Sequence, residues 1–110
     1  MSESMKLVYL AGPYRADTAW GIEQNVQWAE RLAAQLWKHG FVAVSPHLLT
    51  RHFQGIAPDY IFLDGLIELM RRCDCVLVFG CSPGTDEEVI EASKCELPVY
   101  WSLSQLIKDL

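Results

Sequence analysis

An apolar run, Cys75 to Phe79, leads into the polar stretch Cys81-Ser82-Pro83-Gly84-Thr85-Asp86-Glu87-Glu88 and then into a helical pattern. Five apolar residues followed by Gly80 read as a buried strand, and the polar stretch reads as a tight loop and the first turn of a helix. A strand that turns straight into a helix is the repeating unit of a parallel α/β sheet. In such sheets the junction lies at the C-terminal edge of the strands, where ligands bind. Three carboxylates crowd this junction, and Glu88 is a candidate nucleophile.

The rest of the chain repeats the alternation. Leu7 to Ala11 is a short apolar run stopped by Gly12-Pro13. From Thr18 to His39 the residues Ile22, Val26, Ala29, Leu32, Ala33 and Leu36 recur at helical spacing, with Thr18 as N-cap and Gly40 as the left-handed stop. Phe41 to Ser45 reads as a second strand, apolar on both faces and so expected to be covered on both sides. His47 to Pro58 reads as an irregular loop, long enough to suggest a functional segment. Helices are expected over Asp59–Arg72, about Asp86–Glu96 and Ser104–Leu110, with a fourth strand over Pro98–Trp101. The order β-α-β-α-β-α-β-α with short connections implies a flavodoxin- or Rossmann-like three-layer sandwich on a parallel sheet of four to five strands. One domain over residues 1–110 is expected.

The totals exclude several classes of function. A net charge of −5 argues against binding nucleic acid, which needs clustered Lys and Arg. The first residues lack the apolar core of a signal peptide, and no apolar run approaches the roughly 18 residues of a membrane span, so a cytoplasmic location is expected. Cys73, Cys75, Cys81 and Cys95 lack paired zinc-ligand spacing and are read as reduced, mostly buried thiols, with no metal. No GxGxxG or Walker loop points to a dinucleotide or an NTPase.

Each candidate residue has a plain reading beside a chemical one. Thr85-x-x-Glu88 matches a capping box, in which Glu88 folds back onto the N-cap amide. Alternatively the helix N-terminus holds Glu88 as an anion, ready to act as a nucleophile. Asp64 is an ordinary helix carboxylate unless it pairs with Glu88. Two flanking carboxylates, one nucleophilic and one donating a proton, are what covalent glycosyl transfer requires. Tyr9 is either core or a phenol with a carboxylate partner. Arg15, Ser82 and the backbone at Gly84 could cradle a phosphate. His47 and His52 sit in the long loop, without a Ser or Cys nucleophile identifiable beside them. Asp74 suits a local cap or pair. Among Trp20, Trp28 and Trp37, only Trp28 strays from the apolar face of its helix, which hints at a subunit contact.

Taken together, Tyr9-Leu10-Ala11-Gly12-Pro13-Tyr14-Arg15, Asn25, Gly40, Ser45-Pro46-His47, Asp64, Cys73-Asp74, Ser82-x-Gly84-Thr85-x-x-Glu88-x-x-x-Ala92 and Leu97-Pro98-Val99 resemble the nucleoside 2-deoxyribosyltransferase-like family. The likeness runs from about residue 6 to residue 100, and is nearest to its short bacterial and phage-type branch. The resemblance implies Glu88 as nucleophile, Asp64 as the residue assisting the leaving base, and Tyr9 as the residue orienting Glu88. It matches Ser82 and Arg15 to phosphate-contacting positions of the related deoxynucleoside 5′-monophosphate N-glycosidases. Gly12, Gly84 and His47 complete the expected substrate-binding set. A small-molecule nucleoside or nucleotide is the expected ligand, with no cofactor, in a homodimer or higher homo-oligomer. The alternative is a nucleotide-binding or sensing domain of the same fold without catalysis, or a module for another phosphorylated metabolite.

Overall fold

A computed structural model describes residues 5–14, 16–49, 53 and 55–110. Its elements are β1 (Leu7–Ala11), α1 (Ala19–Lys38), β2 (Val42–Val44), α2 (Pro46–Leu49), α3 (Asp59–Arg71), β3 (Cys75–Val78), α4 (Pro83–Lys94), β4 (Val99–Tyr100) and α5 (Leu103–Asp109). The four strands are parallel in the order β2-β1-β3-β4. This is the doubly wound arrangement, in which the chain crosses left from β1 to β2 and then returns across β1 to β3 and β4.

Strand alternation sorts the core into two layers. Val8, Leu10, Cys75 and Leu77 pack with Ala33 and Leu36 of α1 and Leu106 of α5. Tyr9, Ala11, Val76 and Val78 point the other way, toward Met70 of α3 and Ala92 of α4. Leu10, Leu36, Leu77 and Leu106 are fully buried, each contributing roughly 2 kcal/mol of apolar burial. Asp74 ties the N-terminal edge: its Oδ2 accepts the Leu7 N–H at 2.7 Å, and its own N–H donates to Leu7 O at 2.8 Å.

Several details depart from the sequence reading. β2 is only half-buried along its length because it lies at the sheet edge, so apolar residues on both faces did not mean cover on both faces. Pro46–Leu49 form a helical turn at the start of the expected irregular loop. α4 begins at Pro83, three residues before the expected start. Ser82 is its N-cap and Pro83 its first residue, a position that suits proline because the missing N–H has no helical partner there.

Two helices end in the same way, with different residues. After α1, Gly40 has φ +84°, and Phe41 N–H reaches back to Leu36 O at 3.0 Å. After α4, Glu96 occupies the equivalent position with φ 59°, and Leu97 N–H reaches Ala92 O at 2.9 Å. Both are Schellman ends, where a left-handed residue satisfies the last carbonyls. A side chain in that conformation costs about 1 kcal/mol, which glycine avoids. Glu96→Gly is therefore expected to raise unfolding stability by roughly 0.5–1 kcal/mol in urea titration.

Candidate active site

Tyr9 sits at the middle of β1, on the face covered by α3 and α4, with its side chain fully buried. A buried phenol needs a partner, and it has one: Tyr9 Oη donates to Glu88 Oε2 at 2.5 Å. Burial, then the neighbouring Glu88 charge, hold the Tyr9 hydroxyl far above the usual phenol range, so it stays a donor. Glu88 is half-buried. Burial pushes its carboxyl up to about 7, against the opposing pull of the Tyr9 hydrogen bond.

This geometry replaces both expectations drawn from the capping pattern. With Ser82 as N-cap, Thr85 is the third residue of α4 and Glu88 the sixth. Glu88 is then too deep in the helix to reach the N-cap amide, and lies beyond the first turn, where the dipole acts on charge. Desolvation controls its proton instead. A carboxyl near 7 exchanges its proton close to neutrality and can serve as acid, base or nucleophile.

Ser82 caps α4. Its Oγ accepts the Thr85 N–H at 3.1 Å and lies 2.8 Å from Thr85 Oγ1, with Thr85 itself buried. Gly84 falls in the first turn between them. Ser82→Ala removes the cap and leaves a buried threonine hydroxyl short of a partner. A loss of about 1–2 kcal/mol in thermal or urea unfolding is expected, with Ser82→Asp recovering most of it.

The loop after β1 is held from three sides. A side chain at Gly12 would put its Cβ 2.3–2.5 Å from the ring of Phe79, and one at Gly80 would meet Pro13 at 2.6 Å. Asn25 of α1 donates to Tyr14 O at 3.1 Å. His47 of α2 is buried, with Nε2 2.8 Å from Pro13 O, so that nitrogen carries the proton. Burial holds its pKa below the usual histidine value, against backbone hydrogen bonds to Pro13 and Gly12 that favour the charged form. Its ring stands edge-on to Tyr14 at 5.3 Å and to Phe79 at 5.7 Å. Trp28 joins from α1, 5.2 Å from Phe79, and is less exposed than Trp20 or Trp37. Its place off the apolar stripe thus has an internal explanation. Phe79 and Gly80 were not singled out from sequence, where they read as a strand end. Arg15 and His52 lie outside the described residues.

Asp64 is exposed, six residues into α3. Its orientation is set by a neighbour. Arg71 Nη2 bonds Glu91 Oε1 at 2.9 Å, so the Arg71 side of α3 faces α4. Seven residues are two helical turns, which puts Asp64 on that same side, while Glu88 and Glu91 are one turn apart on α4. Asp64 thus lies two turns, and Glu88 one turn, toward the N-terminal ends of their helices from the Arg71–Glu91 pair that joins α3 to α4.

A family model described as "Domain of unknown function (DUF7768)" matches residues 6–102. The chain belongs to this family. A search of curated proteins found no match. Among solved structures, a 2-deoxyribosyltransferase from the psychrotolerant bacterium Bacillus psychrosaccharolyticus superposes with a TM-score of 0.67 at 16% identity, over 84% of this chain and 69% of that chain. The DUF7768 chain thus shares the fold of that enzyme.

Among the described residues of this DUF7768 domain, no cluster of three or more His, Cys, Asp or Glu is placed to hold a metal. No described helix is long and apolar enough to cross a membrane. Cys73 and Cys75 are buried, and burial pushes both thiols up to about 11, which leaves them protonated and unreactive. Cys81 is exposed and Cys95 half-buried.

Proposed function

We propose that residues 1–110 form one deoxyribosyltransferase-like domain that cleaves the N-glycosidic bond of a 2′-deoxynucleoside or its 5′-monophosphate. The observation that carries this reading is the Tyr9–Glu88 hydrogen bond, which fixes one carboxylate oxygen and leaves the other for chemistry. Glu88 attacks the anomeric carbon as the bond to the base breaks, and Asp64 protonates or steadies the departing base. Water or a second base then attacks the same carbon, the ester bond to Glu88 breaks, and the carboxylate is restored. Two displacements give retention at that carbon. Tyr9 orients Glu88 and withdraws no proton from it.

The substrate lies at the C-terminal edge of the sheet, between the Gly12–Tyr14 loop and the start of α4. Ser82, the Gly84 amide and Arg15 are the groups proposed to meet a 5′-phosphate. The domain works as a homo-oligomer in a cytoplasmic setting and needs no cofactor.

The test is incubation of the protein with the common deoxynucleosides and their 5′-monophosphates, with free base followed by chromatography. Base release that disappears in Glu88→Ala supports the reading. No release, together with a thermal shift by a monophosphate, would move the assignment to a binding or sensing domain.

A further inference from the structure

Residues Gly12 to Tyr14 adopt no regular secondary structure, yet two successive carbonyls are held by side chains from two different elements. His47 of α2 donates to Pro13 O and Asn25 of α1 donates to Tyr14 O. From the strand side, Phe79 lies against Gly12 where even a methyl group would clash, and Pro13 rests on Gly80. The Phe79 N–H bonds Ala11 O at 2.9 Å, which fixes the loop's entry at the sheet edge two residues beyond Tyr9. The segment has almost no freedom of its own once these contacts form.

From this geometry we infer that His47 and Asn25 are positioning residues, which hold the Gly12–Tyr14 loop as a rigid wall of the substrate site without touching the substrate. The inference rests on the glycosidase reading for its kinetic consequence and on geometry alone for the clamp. It changes the role expected for His47 from sequence. The buried ring has its Nε2 proton engaged by Pro13 O, and Tyr14 and Phe79 stand against it. A histidine spent in this way acts through the loop. Preorganised walls matter because a loop that must be ordered when substrate arrives charges that ordering cost to binding.

The test compares His47→Ala, His47→Gln and Asn25→Ala in the full chain. Gln keeps an N–H that can reach Pro13 O, whereas Ala leaves that carbonyl without its donor. Asn25→Ala loosens the same loop from the half-buried helix α1 and keeps the test open should His47→Ala fail to fold. Two readouts are taken: steady-state base release from deoxynucleosides and their 5′-monophosphates, and amide exchange of the peptide spanning residues 9–18. KM is expected to rise roughly tenfold or more in His47→Ala and several-fold in Asn25→Ala, with the smaller part of the loss in kcat. Exchange in the loop should quicken in both, and His47→Gln should return both readouts toward wild type. A loss confined to kcat, or loop exchange equal to wild type in both alanine variants, overturns the clamp. If the wild type itself releases no base from any of these compounds, the glycosidase reading fails. Exchange then decides the clamp alone: faster exchange restored by Gln supports it, and unchanged exchange ends it.

Discussion

Glu88→Gln is expected to lower kcat for base release by at least about 10⁴-fold, because an amide cannot form the glycosyl ester on which both displacements depend. Gln retains the size of Glu88 and an oxygen that can accept the Tyr9 hydroxyl, so the fold should persist. Substrate affinity should survive, visible as a thermal shift by the wild type's best substrate. Tyr9→Phe separates orientation from chemistry: it removes the donor to Oε2 while keeping the ring that fills the core. A loss of roughly ten- to a hundredfold, far short of that in Glu88→Gln, is the expected pattern. Base release that persists in Glu88→Gln at near the wild-type rate would remove Glu88 as nucleophile. The Tyr9–Glu88 pair would then be a buried hydrogen bond with a structural role.

The alternation of apolar runs and helical spacing made the sheet and its covering helices legible, since burial on two faces leaves a chain little choice of pattern. Thr18 and Gly40 marked the ends of α1 because capping chemistry is local. The start of α4 was misread for a related reason. Thr85 and Glu88 satisfy a capping pattern, but Ser82-Pro83 satisfies a stronger one three residues earlier, and only one start can form. That shift decided the environment of Glu88, turning an expected first-turn anion into a half-buried carboxyl. The partnership of Tyr9 with Glu88 spans 79 positions. Residue types alone made it plausible, and the pairing of β1 with β3 brings it about. The loop clamp was less legible still. Nothing local in Phe79, Gly80 or His47 announces that they converge on Gly12–Tyr14, because that contact needs β1, β2 and β3 side by side.

The second large effect lies in the pH dependence of stability. Glu88 has an ordinary pKa of 4.5 and is pushed up to about 7 in the folded chain. Between these values the folded state holds a proton that the unfolded state has released, so stability falls as pH rises. The contribution of the protonated carboxyl is fully present below 4.5 and lost as pH passes through about 7. One pKa unit corresponds to about 1.4 kcal/mol, and partial solvent contact trims the total to roughly 2 kcal/mol. Other charged groups share these helices, including the Arg71–Glu91 pair that joins α3 to α4, so the wild-type curve alone is not diagnostic. The difference between wild type and Glu88→Gln is, because those groups are common to both. Urea unfolding from about pH 4 to pH 8 should show Glu88→Gln gaining about 2 kcal/mol relative to wild type, with the change concentrated between 4.5 and 7. Tyr9→Phe removes the hydrogen bond that favours the carboxylate, so the window should extend upward in pH. The acid limb of base release, which needs Glu88 ionised, should move in the same direction. Parallel stability curves for wild type and Glu88→Gln would mean that water reaches Glu88 freely, and that Tyr9 holds an ordinary surface carboxylate.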